Sequence, residues 1–89
     1  MTALAELEHR KMLQVLVTLL EKPLHFRELN RRVGGSSNTL NKALKNLEKL
    51  NLVKEIEKDE FPFLRIIALT DKGVKVAELL KQIEKLISE

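Results

Sequence analysis

Cysteine is absent from this 89-residue chain. Disulfides, thiolate zinc sites, thiol redox switches and cysteine nucleophiles are therefore excluded together. Histidine occurs only at His9 and His25, too few for a histidine-based metal centre or acid–base pair. Tyrosine and tryptophan are missing and aromatics make up 3%, which argues against stacking platforms for single-stranded nucleic acid. The longest apolar run, Met12 to Leu20, is interrupted by Gln14 and Thr18 and is too short to span a bilayer. No basic-apolar-small export pattern opens the chain, so the expected location is the cytoplasm, with no membrane partner.

What remains is a globular balance, 44% apolar and 33% charged, without repeats, linkers or low-complexity stretches. A chain this short buries only about two-thirds of its unfolded surface, so residues 1–89 read as one domain with a single modest core. The net charge is +3, and its distribution says more than the total. Residues 1–22 and 66–89 are each neutral overall. Residues 27–49 carry Arg27, Arg31, Arg32, Lys42, Lys45 and Lys49 against Glu28 and Glu48, a net +4. A positive surplus confined to one segment is the footprint of contact with a polyanion, although a solvated lysine-rich face has the same composition.

Hydrophobic periodicity and punctuation divide the chain. Thr2 can cap a first helix over about 2–21, which Pro23 stops. Its second half is apolar on most sides, so it is buried from more than one direction. Pro23-Leu24-His25 is a short extended stretch. Phe26 to Val33 reads as a helix of two turns, ended by Gly34-Gly35. Ser36, Ser37 and Asn38 can each cap the next helix, which runs over about 37–50. Its apolar residues Leu40, Ala43, Leu44, Leu47 and Leu50 fall within an arc of about 120°, a core stripe. Asn38, Lys42, Lys45 and Lys49 lie opposite, flanked by Asn41 and Asn46. Asn51 stands where a helix usually takes a left-handed glycine, a conformation asparagine tolerates next best. Leu52–Lys58 and Phe63–Leu69 read as two strands joined through Asp59-Glu60-Phe61-Pro62, with Glu55 and Glu57 pointing to solvent. Thr70 can cap a last helix over 71–88.

The predicted fold is mainly α with a small β-hairpin wing (α+β), in the order α-β-α-α-β-β-α. A short helix joined to a second by a glycine-containing turn is the helix-turn-helix signature, and the hairpin after it makes a winged helix. Residues 24–73 resemble the winged helix-turn-helix of transcriptional regulators of the MarR, HxlR and PadR type. The resemblance is carried by Leu24-His25-Phe26-Arg27-Glu28-Leu29 entering the motif and by Ser36-Ser37-Asn38-Thr39-Leu40-Asn41-Lys42-Ala43-Leu44 as recognition helix. Leu47-Glu48-Lys49-Leu50-Asn51-Leu52-Val53 resembles the family's L-E-x-x-G-L-V exit, and Leu69-Thr70-Asp71-Lys72-Gly73 its L-T-x-x-G element. Phe61-Pro62-Phe63 resembles the HxlR and PadR members. Two departures matter. The wing tip reads Lys58-Asp59-Glu60 where the family often has cations, and there is no cysteine for the thiol sensing known in some HxlR members.

A recognition helix fits the major groove, where base edges present distinguishable donors and acceptors. Asn38, Thr39, Asn41 and Lys42 suit base edges, with asparagine able to bond adenine at two points. Ser36 and Ser37, with the first-turn N–H groups, suit a backbone phosphate. Arg27, Arg31, Arg32, Lys45 and Lys49 would neutralise phosphates. Lys54, Lys58 and Arg65 are the cations left to the wing. Simple capping and solvation would account for any one of the Asn and Ser residues. Gly34-Gly35-Ser36-Ser37 lacks the lysine of a P-loop, and His25 reads as a local hydrogen-bonding residue rather than a ligand. No catalytic constellation, cofactor or metal site can be argued, so the reading is not an enzyme.

The last helix carries a second apolar stripe: Val76, Leu79, Leu80, Ile83, Leu86 and Ile87. Its own domain would need only Val74 and Ala77. The stripe predicts a homodimer interface, supported by Leu4, Leu7, Leu13 and Val17 of the first helix; the alternative is that the last helix folds back onto the chain's own first helix. A two-fold dimer sets its recognition helices about one DNA turn apart and implies a pseudo-palindromic operator in double-stranded DNA. The competing assignment is a winged-helix protein–protein interaction module without sequence-specific DNA binding.

Overall fold

The computed structural model describes residues 2–57 and 65–88, and of these the side chains of 2–9 and of residue 57 are not described. The wing tip, with Lys58, Asp59, Glu60, Phe61, Pro62 and Phe63, lies outside the described residues, as do the Leu4 and Leu7 side chains. Helix α1 (Thr2–Leu19) is followed by strand β1 (Leu24–His25) and helices α2 (Phe26–Val33) and α3 (Ser37–Lys49). Strands β2 (Val53–Glu57) and β3 (Arg65–Leu69) and helix α4 (Asp71–Ser88) complete the order. The expected order α-β-α-α-β-β-α is the observed one.

Strand β3 is central in an antiparallel sheet of order β1-β3-β2. Leu24 faces Ile67 across β1 and β3, and Glu55 faces Ile67 across β2 and β3. Pairing of the two-residue β1 ties the start of the helix-turn-helix to the wing. The core gathers Val15, Leu16 and Leu19 of α1, Leu29 of α2, Leu40, Leu44 and Leu47 of α3, Leu52, Val53, Ile67 and Ala77. Each fully buried leucine contributes about 1.5–3 kcal/mol, so α3 is anchored by its leucine face and its opposite face is turned outward.

Local signals explain the element ends. Gly34 and Gly35 take φ of 76° and 84°, the left-handed region that makes a tight turn between α2 and α3. Ser36 caps α3, its Oγ accepting from the Thr39 N–H at 3.2 Å. At the other end Asn51 takes φ 61°. Its N–H donates to the Glu48 carbonyl and that of Leu52 to the Leu47 carbonyl, both at 2.9 Å, which is a Schellman closure. Thr70 caps α4 by accepting from the Gly73 N–H at 3.0 Å. It also donates to the Asn51 carbonyl at 2.7 Å, and its own N–H reaches the Leu52 carbonyl at 3.1 Å. Gly73 is required here, because a Cβ on it would lie 1.9 Å from the Leu52 oxygen. The exit of α3 and the start of α4 are thus clasped backbone to backbone.

Several expectations need correction. Helix α1 begins at Thr2 and stops at Leu19, short of the expected end at about residue 21. Helix α3 stops at Lys49, and Leu50 is 50% exposed instead of core, because the chain turns away at Asn51 before that side chain can reach the leucine face. Val74 is exposed, whereas the small residues Gly73 and Ala77 face the core. The lack of a side chain at Gly73 allows the α4 backbone so near Leu52. The predicted α4 stripe is divided. Val76 and Leu80 pack on the chain's own core, while Leu79, Ile83, Leu86 and Ile87 remain exposed, the last two at 71% and 77%. On α1, Leu13 is exposed and Val17 half-buried. Glu55 is half-buried and ion-paired with Arg65, not solvated. No described helix is long and apolar enough to cross a membrane.

Candidate nucleic-acid interface

The outer face of α3 follows from its inner one. With Leu40, Ala43, Leu44 and Leu47 buried, a 100° step per residue sends Asn38, Lys42, Lys45 and Lys49 to the opposite side. All four are exposed, while Asn41 and Thr39 are half-buried at the margins. Ser36 Oγ is occupied by the Thr39 N–H and lies 3.0 Å from the Thr39 hydroxyl, so its first task is the cap. Ser37 is exposed beside it.

The arginines of α2 do not stand alone. Glu28 accepts from Arg31 Nη2 at 2.6 Å and from Arg32 Nε at 3.0 Å. These hydrogen bonds, from Arg31 first and then Arg32, hold the Glu28 carboxyl below its ordinary range, and Glu28 raises Arg31 in return. Arg32 also reaches Glu21 beyond the end of α1, at 3.7 Å. Arg27 is exposed at the start of the helix. The spacing of Glu28 with Arg31 and Arg32, three and four residues on, is that of helix-surface ion pairs. That spacing is legible in the sequence, although a count of charges treats both arginines as free.

The wing cations separate. Lys54 is exposed on β2, and Lys58 lies outside the described residues. Arg65 is exposed but engaged by its own chain: its Nε donates to Glu55 at 2.5 Å and its Nη2 to Asn41 Oδ1 at 3.3 Å. Its guanidinium sits 4.3 Å from the centroid of the Phe26 ring. Nothing in the sequence singles out Lys11. From α1 it donates to the Val33 and Gly34 carbonyls, where the α2 dipole places partial negative charge. Among the described residues no group of three or more His, Asp or Glu side chains is placed to hold a metal ion.

A leucine-anchored helix with an amide- and lysine-bearing outer face, a glycine turn before it and a hairpin after it define a transcriptional regulator of the winged helix-turn-helix class. The chain belongs to the HxlR-like helix-turn-helix family, whose model matches residues 6–89. It is similar in structure to the reduced form of the transcriptional regulator YodB from B. subtilis, with TM-score 0.72 and 25% identity over 80% of this chain and 71% of that one. A mutant of Lactococcus lactis ZitR in apo form gives TM-score 0.78 and 26% identity over 98% of this chain and 67% of that one. A MarR-family regulator from Porphyromonas gingivalis W83 gives 0.76 and 28% over 84% and 74%. No curated protein sequence matches the chain.

Proposed function

We propose that this regulator binds double-stranded DNA sequence-specifically as a homodimer in the cytoplasm, with α3 in the major groove. The observation that carries the reading is the exposed line Asn38, Lys42, Lys45, Lys49 on the reverse of a buried leucine face. Asn38, Thr39, Asn41 and Lys42 are the base-reading groups near the start of the helix. Arg27, Lys45 and Lys49, with Ser37, approach phosphates, joined by Arg31 and Arg32 to the extent that Glu28 releases them. The exposed apolar residues Leu13, Leu79, Ile83, Leu86 and Ile87 support the second subunit, since leaving them in water forgoes about 25 cal/mol per Å² of apolar surface. Val17, Val76 and Leu80 border that face, and Leu4 and Leu7 are assigned to it from sequence alone. A two-fold dimer of this kind reads a pseudo-palindromic operator.

Duplexes selected from a random pool test the reading. The chain should bind the selected sequence in a gel shift far more tightly than a scrambled one, and the affinity should fall steeply with salt. Replacing Lys42 and Lys45 by glutamate should abolish binding while sedimentation still reports a dimer. Binding that survives both replacements would remove α3 from the interface. A dimer that ignores duplex DNA would favour the protein–protein interaction module instead.

A further inference from the structure

We propose that Arg65 is a positioning residue for base recognition. By holding the Asn41 side-chain oxygen it turns the Asn41 amide donors outward, and so biases α3 toward a base that offers an acceptor. The inference rests on the major-groove reading above and assigns to the wing a role inside the protein rather than on phosphate.

Arg65 opens β3, opposite Glu57 in the strand pair nearest the wing tip. Among the described residues, its guanidinium meets Glu55 from β2, Asn41 from α3 and the ring of Phe26 from α2. The pairing with Glu55 is diagonal across the hairpin, since Glu55 stands opposite Ile67 and Arg65 lies two residues before it. A guanidinium is a flat fork of donors with no acceptor. It can stack on a ring while bonding a carboxylate and an amide in its own plane, which a lysine ammonium cannot reproduce. Glu55 also neutralises the charge of Arg65 and so weakens its pull on a phosphate.

The chemistry of the fork fixes the orientation of Asn41. Only an acceptor can face an arginine, so Oδ1 is the atom turned toward Arg65, and the planar amide then directs Nδ2 and its two N–H groups away from it. Two-point recognition of adenine needs both halves of the amide: the oxygen accepts from the N6 amino group while the nitrogen donates to N7. With the oxygen turned to Arg65, the donors are what Asn41 turns away from it. They match both N7 and O6 of guanine and O4 of thymine. Adenine offers them N7 alone, beside an N6 amino group that opposes them, and the amino group of cytosine is rejected.

The test uses the full chain, the duplex selected above and its single-base variants, with affinity read by fluorescence anisotropy. The position read by Asn41 is the one whose base preference N41A flattens. Wild-type protein should prefer guanine or thymine there. R65K keeps the charge and loses the fork; it should lower that preference about tenfold, the scale one well-placed side chain supplies. The slope of log affinity against log salt should stay the same. N41A and the N41A/R65K double variant should be indistinguishable at that position. Thermal melting of R65K confirms that the fold is retained. An R65K variant that keeps the preference overturns the proposal, as does a wild-type preference for adenine or cytosine. A salt slope that becomes shallower by about 1.8 in R65A also overturns it, because that is the change expected if Arg65 neutralised one phosphate in each protomer of the dimer. Wild-type protein that binds no duplex overturns the major-groove reading itself, and the proposal with it.

Discussion

The salt dependence of DNA binding can be worked out from how Glu28 holds its neighbours. Each neutralised phosphate contributes about −0.9 to the slope of log affinity against log salt. With Arg31 and Arg32 held by Glu28, the cations that the proposed reading sets on phosphates from the helices of one protomer, leaving the wing aside, are Arg27, Lys45 and Lys49, all three exposed. A dimer then neutralises about six phosphates, a slope of about −5, and its affinity falls by about 10³ between 50 and 200 mM salt. If both arginines joined them, about ten phosphates would give a slope of about −9 and a fall of about 10⁵. The replacement E28Q separates the two cases, since it removes the competing charge and leaves a side chain of the same length. Anisotropy titrations across that salt range should show E28Q steepening the slope from about −5 toward −9. Acid is a poor substitute for the mutation. Because hydrogen bonds from Arg31 and Arg32 lower the Glu28 pKa, the restraint is present above the ordinary carboxylate range and is lost only as pH falls through the lowered value. The wild-type slope should therefore not change with pH near neutrality through Glu28. A wild-type slope near −9 that E28Q leaves unchanged would refute the idea that Glu28 withholds these arginines. A slope shallower than about −2 would refute the phosphate assignments as a group.

Three further outcomes follow from the clasp and from the apolar face. Gly73→Ala forces a Cβ to within 1.9 Å of the Leu52 carbonyl oxygen, so backbone must move; urea denaturation should show a loss of about 3 kcal/mol or more, well above an ordinary surface change. At Asn51, φ 61° makes glycine acceptable and a β-branched residue costly. N51G should melt at or slightly above the wild-type temperature, and N51V should lose about 1–2 kcal/mol. Placing a charge in the exposed α4 stripe, as I83E with L86E, should give a folded monomer by sedimentation with unchanged circular dichroism. An intact dimer would move the interface off this helix.

How much of this was legible in the sequence depends on the distance over which each signal acts. The bounds of α2, the Ser36 cap, the left-handed Asn51 and the Thr70 cap are set by residues within a turn or two of one another, where side-chain chemistry and backbone geometry meet directly. The lysine line on α3 was equally readable, because a leucine face fixes its opposite by period alone. Leu50 shows where period fails: it has the right angle for the core, but the helix ends one residue too soon. The α4 stripe shows a different limit. Periodicity locates an apolar arc, yet which part of the helix the chain itself covers turns on Gly73, which lets the backbone come close to Leu52, and on the buried Ala77 one turn on. Beyond these lie pairings with no local trace. Lys11 reaches Val33 across 22 positions and Arg65 reaches Asn41 across 24. In the sequence Arg65 was one more wing cation and Asn41 one more polar residue of α3. Only the folding of the hairpin against that helix brings them together, and the orientation proposed for Asn41 depends on that meeting rather than on either residue alone.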